Sequence, residues 1–425
     1  MFRLPLTAAA SLTALVLSAP AALAAAGDLD RTWGQQGSVD VAPAAAGDQL
    51  VGSELARQSV GTVVASTSSR YDETTWTYSA RVQLGRLDAA GRFDPRFGAG
   101  GAALVDFGRP AVLRETAVLA GDEIAVLAAV GGGAYEEVQT GLAMLSRDGS
   151  PVPAFGSGAP VVVDPAAPAL SPTALLADAG GGLLVGFDQD GRGTSDFALA
   201  RFRADGRLDP TFGTGGVRLL DVGGDDHLTD LVRGPSGELF AVGFSAAAGR
   251  QEGVLARLRA DGTLDRRFGS GGAVRFAPAG RDVVTGGAVV SGRSLAVGGT
   301  ARVRGGSESA ALVTRLSLQG RVENAFGARG HLLLDEPGQE EGAGVFLTPR
   351  DTLLVVRRVG DGPFTSRLHE VRARSGAPVT SFGVGGTVEL GEFLARDVLV
   401  DGTGLLIAGA RFDPWAPTEV VQRRL

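Results

Sequence analysis

Residues 200–216 read ARFRADGRLDPTFGTGG, and the string returns from Ala256 as ARLRADGTLDRRFGSGG. The aromatic-glycine pair in it recurs at Trp33-Gly34, Phe97-Gly98, Phe155-Gly156, Phe212-Gly213, Phe268-Gly269, Phe326-Gly327 and Phe382-Gly383. Successive spacings are 64, 58, 57, 56, 58 and 56 residues, and a glycine stands six places before each aromatic: Gly27, Gly91, Gly149, Gly206, Gly262, Gly320 and Gly376. Seven matches in register make one repeated unit, and a period of this length signals a solenoid, propeller or array.

Within a unit the pattern is that of strands. In the fourth, Leu228 to Val232 alternates, Pro235-Ser236-Gly237 turns, and Leu239 to Phe244 is apolar throughout. Val254 to Leu258 follows, and Asp261-Gly262 turns into the next anchor. Short strands joined by Gly and Asp-Gly turns predict a four-stranded antiparallel sheet per unit, arranged around an axis. The fold is therefore expected to be all-β, a seven-bladed β-propeller over residues 25–425. One large aromatic per blade fills the wedge between neighbouring sheets, worth about 1.5–3 kcal/mol by burial. The acid three places before it (Asp30, Asp94, Asp209, Asp265, Glu323) caps a turn by accepting backbone N–H groups. Val152 and Val379 occupy that place in two units, so it is no catalytic ring.

Aligning Glu419–Leu425 with Phe197–Arg203, and Gly27 with Gly206, brings the two ends of the repeat array into register. Residues 27–41 are then expected to supply the last strand of the blade begun near Glu392, which closes the ring and removes exposed sheet edges.

The anchor string resembles the bacterial delta-60 tandem repeat, and its rhythm is similar to the NHL-type propeller repeat. The resemblance spans residues 27–425, with the third and seventh units drifted. It implies a secreted or surface propeller and carries no common activity with it.

Ahead of the repeats, Arg3, the apolar run Leu4 to Ala22 and the small-x-small Ala22-Leu23-Ala24 read as a signal peptide over residues 1–24, cut after Ala24. The expected location is secreted, periplasmic or cell-surface, with no membrane span in the mature chain. Among 425 residues there are 65 Gly, no Cys and three His, and all 40 basic residues are Arg against 47 acids. A net charge of −7 argues against nucleic acid as partner. Absence of Cys removes disulfides, thiolate zinc sites and cysteine nucleophiles. No nucleophile elbow, zinc-protease helix motif or phosphate loop occurs. His227, His331 and His369 are scattered and form no triad. Asp188, Asp190 and Asp196 have part of a calcium-loop spacing, but Arg192 in a ligand slot makes a hydrated loop the better reading. No cofactor or metal is expected.

Two patterns remain. Tyr71, Trp76, Tyr78, Tyr135 and Trp415 fall in the loops between second and third strands of blades one, two and seven, neighbours in a closed ring. Such a top-face aromatic patch suits a glycan or an envelope protein, although the same rings could merely cover blade edges. Asp226, Asp282, Glu340 and Glu392, with Gln49 in blade one, mark the channel-side starts of innermost strands. Their shared charge attracts a cation or basic group, or is simply solvated. The function expected is a non-catalytic binding or interaction propeller of the cell envelope or exterior, acting as a monomer. The rival is a polysaccharide lyase or glycoside hydrolase using top-face carboxylates and aromatics; a surface protein without small ligand is a third class. Hydrolysis needs a distinguished carboxylate pair, which repeated equivalent acids do not supply.

Overall fold

The structure, a computed structural model, describes residues 26–131, 138–163, 169–178, 180–190, 194–335, 340–359, 365–402, 404–411 and 418–425. The expected signal peptide, Tyr135 and Trp415 lie outside them. Among the described residues the strands form seven four-stranded antiparallel sheets, and six of these follow chain order. In blade four they are Asp225–Arg233, Leu239–Ala247, Arg250–Leu258 and Ala273–Phe276, from the axis outward. The second strand of each blade is covered on both faces by neighbouring blades, which is why 239–244 is apolar without alternation. Outermost strands have only three or four residues, so little unpaired edge faces solvent.

Among the described residues the core is divided. Seven apolar clusters lie one at each seam between adjacent blades, and the seam of blades seven and one gathers Trp33, Leu50, Val64, Leu406 and Val421. Every anchor aromatic is buried in such a seam. Its neighbour across the seam is the glycine of the next repeat: a side chain at Gly262 would meet Phe212 Cζ at 2.3 Å, and Gly262 has φ +77°. The relation runs round the ring, ending with Gly27 against Phe382. The anchor glycine adds a bond, as Gly98 N donates to Asp148 O at 2.7 Å and Gly156 N to Asp205 O at 3.0 Å.

Where an acid precedes the anchor it is structural, as the spacing implies. Asp209 Oδ1 accepts Thr211 N at 3.1 Å while its other oxygen pairs with Arg201 at 2.7 Å. The Arg201 guanidinium lies 4.7 Å from the Phe212 ring centre, so one arginine links turn and wedge. Arg86–Asp94–Phe97 and Arg257–Asp265–Phe268 repeat the device.

Ring closure follows the expected route. Ser38–Asp40 is the outermost strand of the seventh sheet, beyond Thr418–Arg424, Gly404–Arg411 and Phe393–Asp401. Ser38 opposes Gln422 and Asp40 opposes Val420, while Asp30 N donates to Arg423 O at 2.9 Å.

Candidate functional site

The innermost strands line the axis, and each contains a register shift near its middle. Past the shift, the residue paired with the equivalent position of the second strand is Glu54, Glu115, Asp230 or Asp397 in blades one, two, four and seven, with Ser53 standing between shift and acid in blade one. In blades three, five and six it is Ala174, Gly287 or Gly344. Around these residues lies a polar cavity of about 510 Å³ on the axis, also lined by Arg114, Thr229 and Arg396.

The four acids have a clear local task. An innermost strand turns one edge to the channel, and its backbone amides there have no strand partner. Asp397 Oδ2 accepts Leu55 N of blade one at 2.7 Å, Glu115 Oε2 accepts Leu175 N of blade three, and Asp230 Oδ2 accepts Ala288 N of blade five at 2.8 Å. Glu54 reaches Thr116 of blade two. Each carboxyl thus ties its blade to the next. Where the preceding blade has Ala174 or Gly344, the aspartate also accepts its own following amide: Leu231 N to Asp230 and Val398 N to Asp397, both at 2.7 Å.

Burial pushes Glu54 up to about 8, with the Asp397 charge adding to it. Burial also holds Glu115 well above the carboxylate range, reinforced by Asp230 and Glu54, and raises Asp230 to about 6 and Asp397 above its ordinary value. The ring is therefore partly protonated at neutral pH. Repeat spacing does not single out these four residues, because the register shift that aligns them is invisible in a repeat count.

The acids singled out from the sequence stand upstream of this ring, at strand starts. Asp226 is fully buried and opposite Ser245; Asp282 accepts Gln251 N at 3.1 Å and pairs with Arg304 at 3.1 Å. Glu392 is exposed just before Phe393–Asp401, Gln49 is exposed opposite Ser69, and Glu340 opens its strand opposite Val359.

Of the aromatics, Tyr71 and Tyr78 are direct cross-strand partners in the hairpin of Gly61–Asp72 and Thr77–Leu87. They are 53% and 50% exposed, and Trp76 in the turn is 80% exposed with φ +55°. Asp72 fixes the turn by accepting Thr74 N and Thr75 N at 2.8 and 3.1 Å; these bonds hold its carboxyl below the usual range. Beside Tyr78 a cavity of about 280 Å³ is lined by Ser68, Ser79, Arg81, Asp106 and Arg109. Asp48 organises its wall, accepting from Ser68 Oγ at 2.8 Å and pairing with Arg81 and Arg70.

The histidines stand apart. His227 Nδ1 meets Asp188 Oδ2 at 2.9 Å and His331 Nδ1 meets Thr314 Oγ1 at 2.9 Å. His369 is buried: its Nε2 accepts Arg357 Nε at 2.7 Å, and burial with two nearby arginines lowers it to about 4.

Comparison with known proteins places the repeat among propellers. The family model described as "Domain of unknown function (DUF5122) beta-propeller" matches residues 183–212 and 234–268. No curated protein matches the chain in sequence. Among solved structures, the polysaccharide lyase Uly1 is similar at 11% identity and TM-score 0.51, over 92% of both chains. An ulvan lyase of a new polysaccharide lyase family gives 12% identity and TM-score 0.47, over 88% of this chain and 93% of that one. Extracellular domains of Drosophila Semaphorin 1b give 9% and 0.47, over 94% and 87%. At these identities the likeness concerns the fold alone.

Proposed function

We propose that this chain is an exported, monomeric, non-catalytic binding propeller that engages a glycan through the blade-one hairpin. The observation that carries the reading is the placement of Tyr71, Trp76 and Tyr78 on one exposed hairpin beside a polar cavity. All seven anchor aromatics, by contrast, are buried in the seams. Flat rings next to fixed arginine and carboxylate groups suit a sugar, which offers a C–H face and hydroxyls together. A projecting loop on a rigid ring is where binding residues concentrate. The leader-like residues 1–24 support export, and the closed ring leaves little sheet edge for self-association. The lyase or hydrolase alternative would draw on top-face carboxylates beside the aromatics, and of these Asp226 accepts Val222 N while Asp282 accepts Gln251 N and pairs with Arg304.

The test is a panel of neutral and acidic polysaccharides presented to the wild-type chain and to Trp76→Ala/Tyr78→Ala. The variant should keep its thermal midpoint, since exposed substitutions usually cost within about 0.5 kcal/mol, and should lose its glycan signal. Unchanged binding by a folded variant sinks the proposal, as does product release from any polysaccharide in the panel.

A further inference from the structure

Away from the hairpin, blades three and four bring a different group of oxygens together. Asp196 lies in the third strand of blade three, Ser195–Phe202, and Asp221 follows its outermost strand, Val217–Leu220. Asp226 belongs to the innermost strand of blade four. One carboxylate oxygen from each lies within 4.8 Å of the other two. Oxygens around a calcium ion at 2.3–2.6 Å sit at most about 5 Å apart, so the cluster has the dimensions of one coordination sphere.

Two orphaned oxygens point to a ligand. Asp226 is wholly buried; its Oδ2 accepts Val222 N at 3.0 Å and the hydroxyl of its cross-strand partner Ser245 stabilises the carboxylate, while its Oδ1 is buried and makes no hydrogen bond within 3.5 Å. Gln189 is the direct cross-strand partner of Asp196, which puts both side chains on one face of the sheet. Its Oε1 is likewise buried and unpartnered. A buried acceptor left unmade costs about 1–3 kcal/mol, so two beside one acidic cluster call for a shared partner.

Local cations do not fill that place. Arg275 comes near enough to favour the Asp226 charge, but its guanidinium is bound to the carbonyls of Val222 and Gly223 and lies 4.0 Å from Glu252. Among the described residues none of the three aspartates has an arginine ion pair. Asp221 is oriented by its own turn, Oδ1 accepting Gly223 N at 2.8 Å. Asp188 takes no part, since its oxygens are held by Leu228 N at 2.6 Å and His227. The linear calcium-loop spacing therefore fails while one of its members, Asp196, joins a site assembled across two blades.

We propose that Asp196, Asp221 and Asp226, with Gln189 as a neutral fourth ligand, bind a calcium ion that pins blade three to blade four. All-oxygen donors with three carboxylates select a hard divalent cation, and calcium accepts donors from separate blades without the strict octahedron that magnesium demands. Burial and mutual repulsion raise the Asp196 carboxyl, and burial raises Asp226; a bound cation relieves both.

The experiment titrates calcium chloride into the chelator-stripped full chain by isothermal calorimetry, and records the thermal midpoint with and without about 1 mM calcium. The expected result is one calcium per chain, a midpoint raised by several degrees, and magnesium weaker by about tenfold or more. Asp196→Asn and Asp221→Asn should each weaken calcium by about tenfold or more and abolish the midpoint shift. Asp221 is exposed, so its variant will fold even if substitutions deeper in the site do not. No calcium uptake by the wild-type chain overturns the proposal, and so do variants that bind as tightly as wild type. Equal affinity for magnesium overturns the assignment to calcium.

Discussion

Individual residues in this ring act mainly on a neighbour one blade away. Phe212 fills the seam under Gly262, so Phe212→Ala should cost about 3–5 kcal/mol through the cavity it leaves, read by chemical denaturation. Gly262→Ala should also destabilise, because its Cβ meets the ring and its φ is positive; a neutral Gly262→Ala would show that the seam can relax. The anchors were legible in the sequence because aromatic and glycine recur at fixed spacing. The channel acids were not, because Glu54, Glu115, Asp230 and Asp397 become equivalent only once the register shifts are known. Their chemistry sets a pH profile. The folded chain retains protons on Glu54 up to about 8, whereas the unfolded chain releases them near the ordinary 4.5. Between those values the native state binds more protons, so stability falls as pH rises. Asp209 acts in the opposite sense: hydrogen bonds to Thr211 and Arg201 depress it to about 2. Its contribution is complete above the ordinary 3.8 and is lost as pH falls toward 2. His369, lowered from 6.5 to about 4, opposes the carboxyl ring across that window. The two limbs therefore meet at a midpoint maximum near pH 4–5 only as far as the several raised carboxyls outweigh this one imidazole. Glu54→Gln/Glu115→Gln should flatten the alkaline limb, and a variant with the wild-type slope would reject the protonated ring.

At the level of strands and hairpins, the same element does different work by position. The innermost strand reads as simple alternation in 228–232, yet its shift between Leu228 and Asp230 turns a carboxyl onto the next blade's backbone. Alternation reveals the strand, but a bulge that re-aims one side chain leaves no mark in the pattern. The blade-one hairpin is the converse case. The 64-residue spacing shows extra length between anchors, and the structure uses part of it to extend the pairing of Gly61–Asp72 with Thr77–Leu87 as far as Asp72 opposite Thr77. Asp72 is central to that tip. Asp72→Ala removes the acceptor for Thr74 N and Thr75 N and should loosen Trp76 without unfolding the ring. Trp76 should then lose fluorescence anisotropy, and glycan affinity should fall while the melting midpoint holds. A rigid Trp76 in Asp72→Ala would mean that the Tyr71–Tyr78 pair alone sets the platform.

The whole molecule is a ring of seams, so its stability depends on every interface being present, including the one that joins the two ends of the chain. Closure was legible because the repeat phase of Gly27 follows that of Leu425, and the pairing of Ser38–Asp40 with Thr418–Arg424 realises it. More than one strand is involved. Gly27 sits against Phe382, Trp33 packs with Leu406 and Val421, and Arg423 pairs with Asp30. Residues 26–41 therefore serve two seams, that of blades six and seven through Ala26 and that of blades seven and one through Trp33. Removing residues 26–41 exposes Thr418–Arg424 as a free edge and opens both seams, which invites strand pairing between molecules. The truncated chain should melt at a markedly lower temperature and form concentration-dependent oligomers in light scattering. Adding residues 26–41 back as a separate peptide should restore part of the midpoint, because the lost contacts lie on a preformed strand and obey mass action. A truncated chain that stays monomeric and melts like the intact one would mean that five seams suffice, and that the ends only cover an already stable ring.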